Sequence, residues 1–164
     1  MASGNKVVLI YIPCYSDFDL AISQAQKIRN EFKENRKHIS SFISKIEIVI
    51  SVNYFKPSES QLVYASSVSD LIINNSKLFL ADVNISNGFM VAYQRSVDFL
   101  WILSANDELL ELGLSKMLNA LDSEIDLSGF ISFAIHLKFY FIEEREFKQT
   151  KLLLLIIIWH GIKI

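Results

Sequence analysis

The chain has 164 residues, enough for one domain with a substantial core; 51% are apolar and 12% aromatic, which excludes a disordered chain. Its formal net charge of -2 supplies no basic stripe, so nucleic acid is not expected as a partner. The single cysteine, Cys14, excludes an internal disulfide, and no Cys/His cluster offers a zinc site; both fit a reducing, cytoplasmic compartment.

The first residues lack the basic, apolar and small-residue regions of a secretory signal. Residues 6–12 form a continuous β-rich run, as in a strand buried on both faces, and Pro13 is expected to end it. Ser16 or Asp17 then caps a helix with Phe18, Ala21, Ala25, Ile28 and Phe32 on one face. Lys27, Arg29, Glu31 and Lys33 fall largely off that face. Residues 46–52 read as a second strand, closed by Asn53. After Pro57, Ser58 and Gln61 have capping-box spacing and open a helix with Leu62, Ala65, Val68 or Ser69, and Ile72 inward. Residues 78–80 read as a short third strand, 84–88 as a turn and 89–97 as a short helix. Residues 99–103 form the fourth strand. A helix over 108–121, with Leu110, Leu114, Met117, Leu118 and Leu121 in register, follows Asp107, which is placed to cap it. Residues 130–135 read as a fifth strand.

This alternation predicts one α/β domain, an open, mostly parallel, Rossmann-like sheet with helices on both faces. With strand order 3-2-1-4, the chain reverses its winding direction between the first and fourth strands. Tyr15 and Asp17 then stand opposite Asn106 and Asp107, where ligands of open α/β sheets bind. The end of the chain is different. Residues 143–146 are a charged run that reads as a solvated face, and 151–159 show neither helical nor strand alternation. The latter reads as a buried last strand or as the ill-fitting end of an incomplete domain, in keeping with a truncated or frameshifted reading frame. Neither this run nor 130–142 is expected to cross a membrane, since a span needs roughly 20 apolar residues.

Several segments, in order, carry a resemblance: Pro13-Cys-Tyr-Ser16 after the first strand, Asn53 closing the second, the segment from Asn84 through Gly88 to Ala92, and Phe99-Leu-Trp-Ile-Leu-Ser-Ala-Asn-Asp107. Over residues 6 to 121 the pattern resembles the nucleotide-sugar-binding half of a family 2 glycosyltransferase, the GT-A fold. The resemblance implies binding of a nucleoside-diphosphate sugar by Pro13, Tyr15, Asn53, Asn84, Gly88 and Asn106. Tyr15 would flank the base, and Asn53 would meet a uracil-like edge. It further implies a divalent cation, Mn or Mg, held by Asp107 against the diphosphate, where it would stabilise charge on the leaving group. Inverting transfer to a glycan or lipid-linked acceptor would follow, in the cytoplasm, with room for peripheral association at the inner face of the membrane. The chain departs from the family in two places: Ala105 and Asn106 stand at the first and middle positions of the DxD pattern, leaving only Asp107, and Ser16 stands where an Asn usually follows Pro-x-Tyr. No residue is identified as the general base.

Plainer readings stand beside these. Asp107 caps a helix, Asn106 serves a turn, Asp82 is a loop carboxylate, Gly88 permits a tight turn, and Trp101 belongs to the core. No spacing ties Cys14 to His38, His136 or His160 as a nucleophilic dyad. Two further functions fit the pattern: a truncated, non-catalytic GT-A remnant, and a flavodoxin- or receiver-like interaction module with Asp17, Asp19 and Asp82 as its acidic set.

Overall fold

A computed structural model of the chain describes residues 5–54, 56–75, 77–107 and 109–121, with Asp82 described by its backbone alone. The expected fifth strand at 130–135 and the runs at 143–146 and 151–159 lie outside the described residues. Four strands form an all-parallel sheet in the order β3-β2-β1-β4, confirming the open α/β architecture and the order 3-2-1-4.

The apolar run at the start makes β1 (Lys6–Cys14), the central strand. It continues through Pro13, against expectation, with Pro13 in register with Ser51 of β2 (Ile43–Asn53). On the other side β1 pairs with β4 (Phe99–Ile102) only from Val8 to Tyr11. The last bond there runs from Leu103 N–H to Tyr11 C=O at 3.0 Å. Odd-numbered residues of β1 therefore direct their backbone groups toward β4. Pro13 is the odd residue just beyond the last bond, so its lack of an N–H costs no ladder hydrogen bond.

Helix α1 (Phe18–Glu34) begins at Asp17, whose carboxylate accepts the Leu20 N–H at 3.1 Å. Helix α2 (Glu59–Val68) begins at Ser58, and the capping box with Gln61 is formed from both sides. Three expectations are corrected beyond this point. The third strand is β3 (Leu71–Asn75), not 78–80, and Ile72 lies in it rather than in the preceding helix. The segment 84–88 is no turn: it lies within α3 (Ala81–Gln94). The last described helix, α4 (Gly113–Ala120), starts well after Asp107, behind a turn in which Leu112 takes φ 58°, and Leu110 is 60% exposed rather than inward.

The helix ends at Ser69 because Asp70 is engaged in starting β3. Its N–H donates to Ile48 C=O at 2.8 Å, its carboxylate accepts the Ile48 N–H at 2.7 Å, and Arg29 pairs with it. Asp98 repeats the device before β4. Its N–H donates to Val7 C=O at 3.0 Å, its carboxylate accepts the Val7 N–H at 2.8 Å, and Lys6 Nζ lies 2.8 Å away. Each outer strand is thus docked to its inner neighbour by one aspartate at its amino end.

Period-2 alternation divides the sheet's side chains between two cores. One face packs Val8, Ile10, Ile12, Ile48, Ile50 and Trp101 against α1, α2 and α4. The other packs Leu9, Tyr11, Val49, Leu100 and Ile102 against α3. A right-handed crossover from β4 to a parallel strand on its outer side would need α4 on the α3 face. It packs beside α1 instead, so the winding does not simply repeat after β4.

Candidate functional site at the carboxyl edge of the sheet

All four strands end at one edge, and the winding reverses between β1 and β4, since α1 and α2 lie on one face and α3 on the other. Crevices at such points receive ligands in open α/β sheets. The loops flanking this one carry Tyr15, Ser16 and Asp17 after β1, and Ser104 to Asp107 after β4. Tyr15 is 40% exposed, and its hydroxyl donates to Ala81 C=O at 3.2 Å, resting its ring against the start of α3.

Asp107 does not cap a helix. It closes a tight turn with Ser104: the Ser104 N–H donates to Asp107 Oδ2 at 3.1 Å, and the Asp107 N–H donates to Ser104 C=O at 3.0 Å. Asn106 is exposed at the tip of this turn, its N–H 3.3 Å from Ser104 Oγ. Ala105, between Ser104 and Asn106 in this turn, is buried. The structure thus gathers Tyr15, Asp17, Asn106 and Asp107 on the two loops beside the crevice. Asp17 is committed to capping α1.

The other sequence candidates have structural partners. Asn53 is 1% exposed; its Nδ2 donates to Phe79 C=O at 2.7 Å and its Oδ1 accepts the Phe79 N–H at 2.8 Å. This two-way grip draws the segment 77–80 over the end of β2. Asn84 is fully buried, and its Oδ1 accepts from the Tyr11 hydroxyl at 2.9 Å and the Ser51 hydroxyl at 2.7 Å. Asn75 Nδ2 adds a bond to Ser51 Oγ at 3.1 Å. Asn84 Nδ2 has no partner among the described residues. Gly88 packs against the same tyrosine: a Cβ there would sit 2.9 Å from Tyr11 Cδ1, so only glycine lets α3 approach this closely. Pro13 is buried within β1.

Sequence reading missed this cluster of Tyr11, Ser51, Asn75 and Asn84. The available signal was the polar alternation of Glu47, Ser51 and Asn53 within an apolar strand. Burial raises the Tyr11 phenol to about 12, against the lowering effect of its Ser51 hydrogen bond. The Cys14 thiol is likewise pushed up by burial, to about 11, which leaves it protonated and unreactive at neutral pH.

Of the two carboxylates described here, Asp17 is committed to capping α1 and Asp107 closes the turn with Ser104; no group of three or more His, Cys, Asp or Glu side chains occurs among the described residues. Such a site fits Mg or Mn only where phosphate oxygens and water complete the shell, the usual arrangement for magnesium on nucleotides. A concavity between α1 and the turn at 109–112 is lined by Lys27, Glu31, Glu34 and Glu111, among others, and shares no residue with this edge. Comparison of the chain with protein-family models, with curated proteins and with solved structures finds no match.

Proposed function

We propose that the chain is a glycosyltransferase-like domain that binds a nucleoside-diphosphate sugar in the crevice between β1 and β4. The observation that carries this reading is the winding reversal flanked by a half-buried aspartate on one loop and an exposed tyrosine on the other. A diphosphate brings concentrated negative charge and the oxygens that a divalent cation needs. Asp107 supplies one fixed carboxylate, held by its turn with Ser104. When bound, the cation would neutralise charge developing on the leaving diphosphate. The Tyr15 ring offers a flat apolar face for the base, and Asn106 an exposed amide for the ribose or phosphate.

The residues behind this surface act at one remove. Asn53 fixes the strap at Phe79, and Asn84 and Gly88 seat α3, against whose first residue the Tyr15 hydroxyl leans. In this reading they shape the binding edge and do not touch the ligand. Transfer to a glycan or lipid-linked acceptor requires a general base within reach of the acceptor hydroxyl, and none is assigned. The strand order 3-2-1-4 favours this reading over the flavodoxin- or receiver-like module, whose sheets run 2-1-3-4-5.

Titration of the chain with UDP by calorimetry, with and without Mn, tests the proposal. Binding that strengthens with Mn, and loses that strengthening in Asp107→Ala, is the expected result. Heats indistinguishable from dilution under both conditions reject it.

A further inference from the structure

Among the described residues, three of the four most exposed large apolar side chains, Tyr54 (67%), Leu78 (67%) and Leu80 (73%), lie in the loops over the carboxyl ends of β2 and β3. The backbone brings them together. The Tyr54 N–H donates to Asn75 C=O at 3.3 Å, tying the end of β2 to the end of β3, and Tyr54 itself takes φ 56°. The Asn53 grip holds Phe79 over β2, and Leu78 and Leu80, on either side of it, are turned out. Lys56 and Lys77 flank this tip, both exposed, and neither joins an ion pair among the described residues. The nearby acidic residue Glu59 belongs to the first turn of α2, where negative charge complements the helix dipole.

We propose that this tip is a membrane-contact surface, with Tyr54, Leu78 and Leu80 entering the interfacial layer of an anionic bilayer and Lys56 and Lys77 meeting lipid phosphates. The charge pattern selects this occupant: lysines beside exposed leucines are attracted to anionic headgroups while their alkyl stems extend the apolar tip. Tyrosine favours the headgroup level. The three apolar side chains are two-thirds exposed or more, so they project instead of lining a groove. They are also too few for a stable protein interface, which covers about 800 Å² on each partner. No helix of the described residues is long and apolar enough to cross a membrane, and this contact needs none. The inference stands independently of the nucleotide-sugar reading.

Co-sedimentation of the full chain with phosphatidylcholine vesicles, with and without phosphatidylserine, tests it. Binding should require the anionic lipid. It should weaken about fivefold for each lysine replaced in Lys56→Ala and Lys77→Ala, and vanish in the double variant Leu78→Asp/Leu80→Asp. Because these side chains are exposed, the variants should melt like the parent chain. Three results overturn the proposal: no binding to anionic vesicles, binding that persists in the double aspartate variant, or a concentration-dependent oligomer by light scattering that the same variant abolishes. The last would make a second copy of the chain the occupant.

Discussion

Toward α1, α2 and α4, strand β2 presents Ile46, Ile48, Ile50 and Val52; toward α3 it presents Glu47, Val49, Ser51 and Asn53. The first face is dry and is held by burial, which has no preferred direction. The second is held by groups that bond only in one arrangement. Near the carboxyl edge, Tyr11 and Ser51 fix Asn84 of α3. Toward the other end, Glu47 takes Arg95 at the end of α3 and Lys45 of its own strand, the latter at 2.7 Å. Burial raises the Glu47 carboxyl, but the hydrogen bonds from Arg95 and Lys45 outweigh it and hold the group below its ordinary 4.5. The first face is held by burial alone, while the polar groups of the second fix the axial position of α3 and with it Ala81, on which the Tyr15 hydroxyl rests.

Substitutions can separate these roles. The largest loss is expected on the dry face. Ile48→Ala, at a fully buried site, should lower unfolding free energy by about 3 kcal/mol in urea titration, through lost burial and a residual cavity. On the polar face, Asn84→Ala removes the oxygen that accepts from both the Tyr11 and Ser51 hydroxyls and should cost about 2 kcal/mol. Unlike the first change it should also raise hydrogen exchange in α3. A loss spread evenly over the whole sheet would break the proposed division of labour. Gly88→Ala forces the buried Tyr11 ring to shift and should cost about 2 kcal/mol, again localised to α3.

The fourth test uses pH. Because the Glu47 carboxyl is held below its ordinary value, its contribution is present above about pH 4.5 and is lost as pH falls through the folded value. Glu47→Gln should cost about 1.5 kcal/mol at pH 7. It should also flatten the decline in urea midpoint as pH falls below 4.5. The smallest effect on stability belongs to Asp107→Ala, about 0.5 kcal/mol, since its bond to Ser104 closes one surface turn. Its readout is the Mn dependence of UDP binding.

The dry face was also the legible one. The runs that became β1, β2 and β4 are rich in apolar residues because both their faces are largely buried, and α1 and α2 announce themselves through Asp17 and the Ser58–Gln61 box. Strand β3 was hidden because it is an edge strand, mostly half-exposed or exposed, so that Ile72 fitted a helical stripe equally well. Leu78 and Leu80 looked like a strand because they alternate with Phe79, yet the alternation comes from the Asn53 grip. Asn84 and Gly88 have turn composition, and only their contacts with Tyr11, 73 residues away in the hydrogen bond to Asn84, make them helical. Of the candidate site, the placement of Tyr15 and Asp107 on neighbouring loops followed only once the strand order 3-2-1-4 was supposed, because that order rests on pairings between distant segments. The buried roles of Asn53 and Asn84 depended on partners that no local pattern contains.

Pro13 gives the crevice an origin in covalent structure. A residue with an amide hydrogen at that position would offer β4 one more rung, and the two strands could zip further toward their carboxyl ends. An imino acid leaves nothing to donate, so the seam between β1 and β4 opens there while β1 stays paired with β2 through Cys14. The end of β1 thus has a donor-free edge toward β4, which matches the point where β4 leaves the sheet for the Ser104–Asp107 turn.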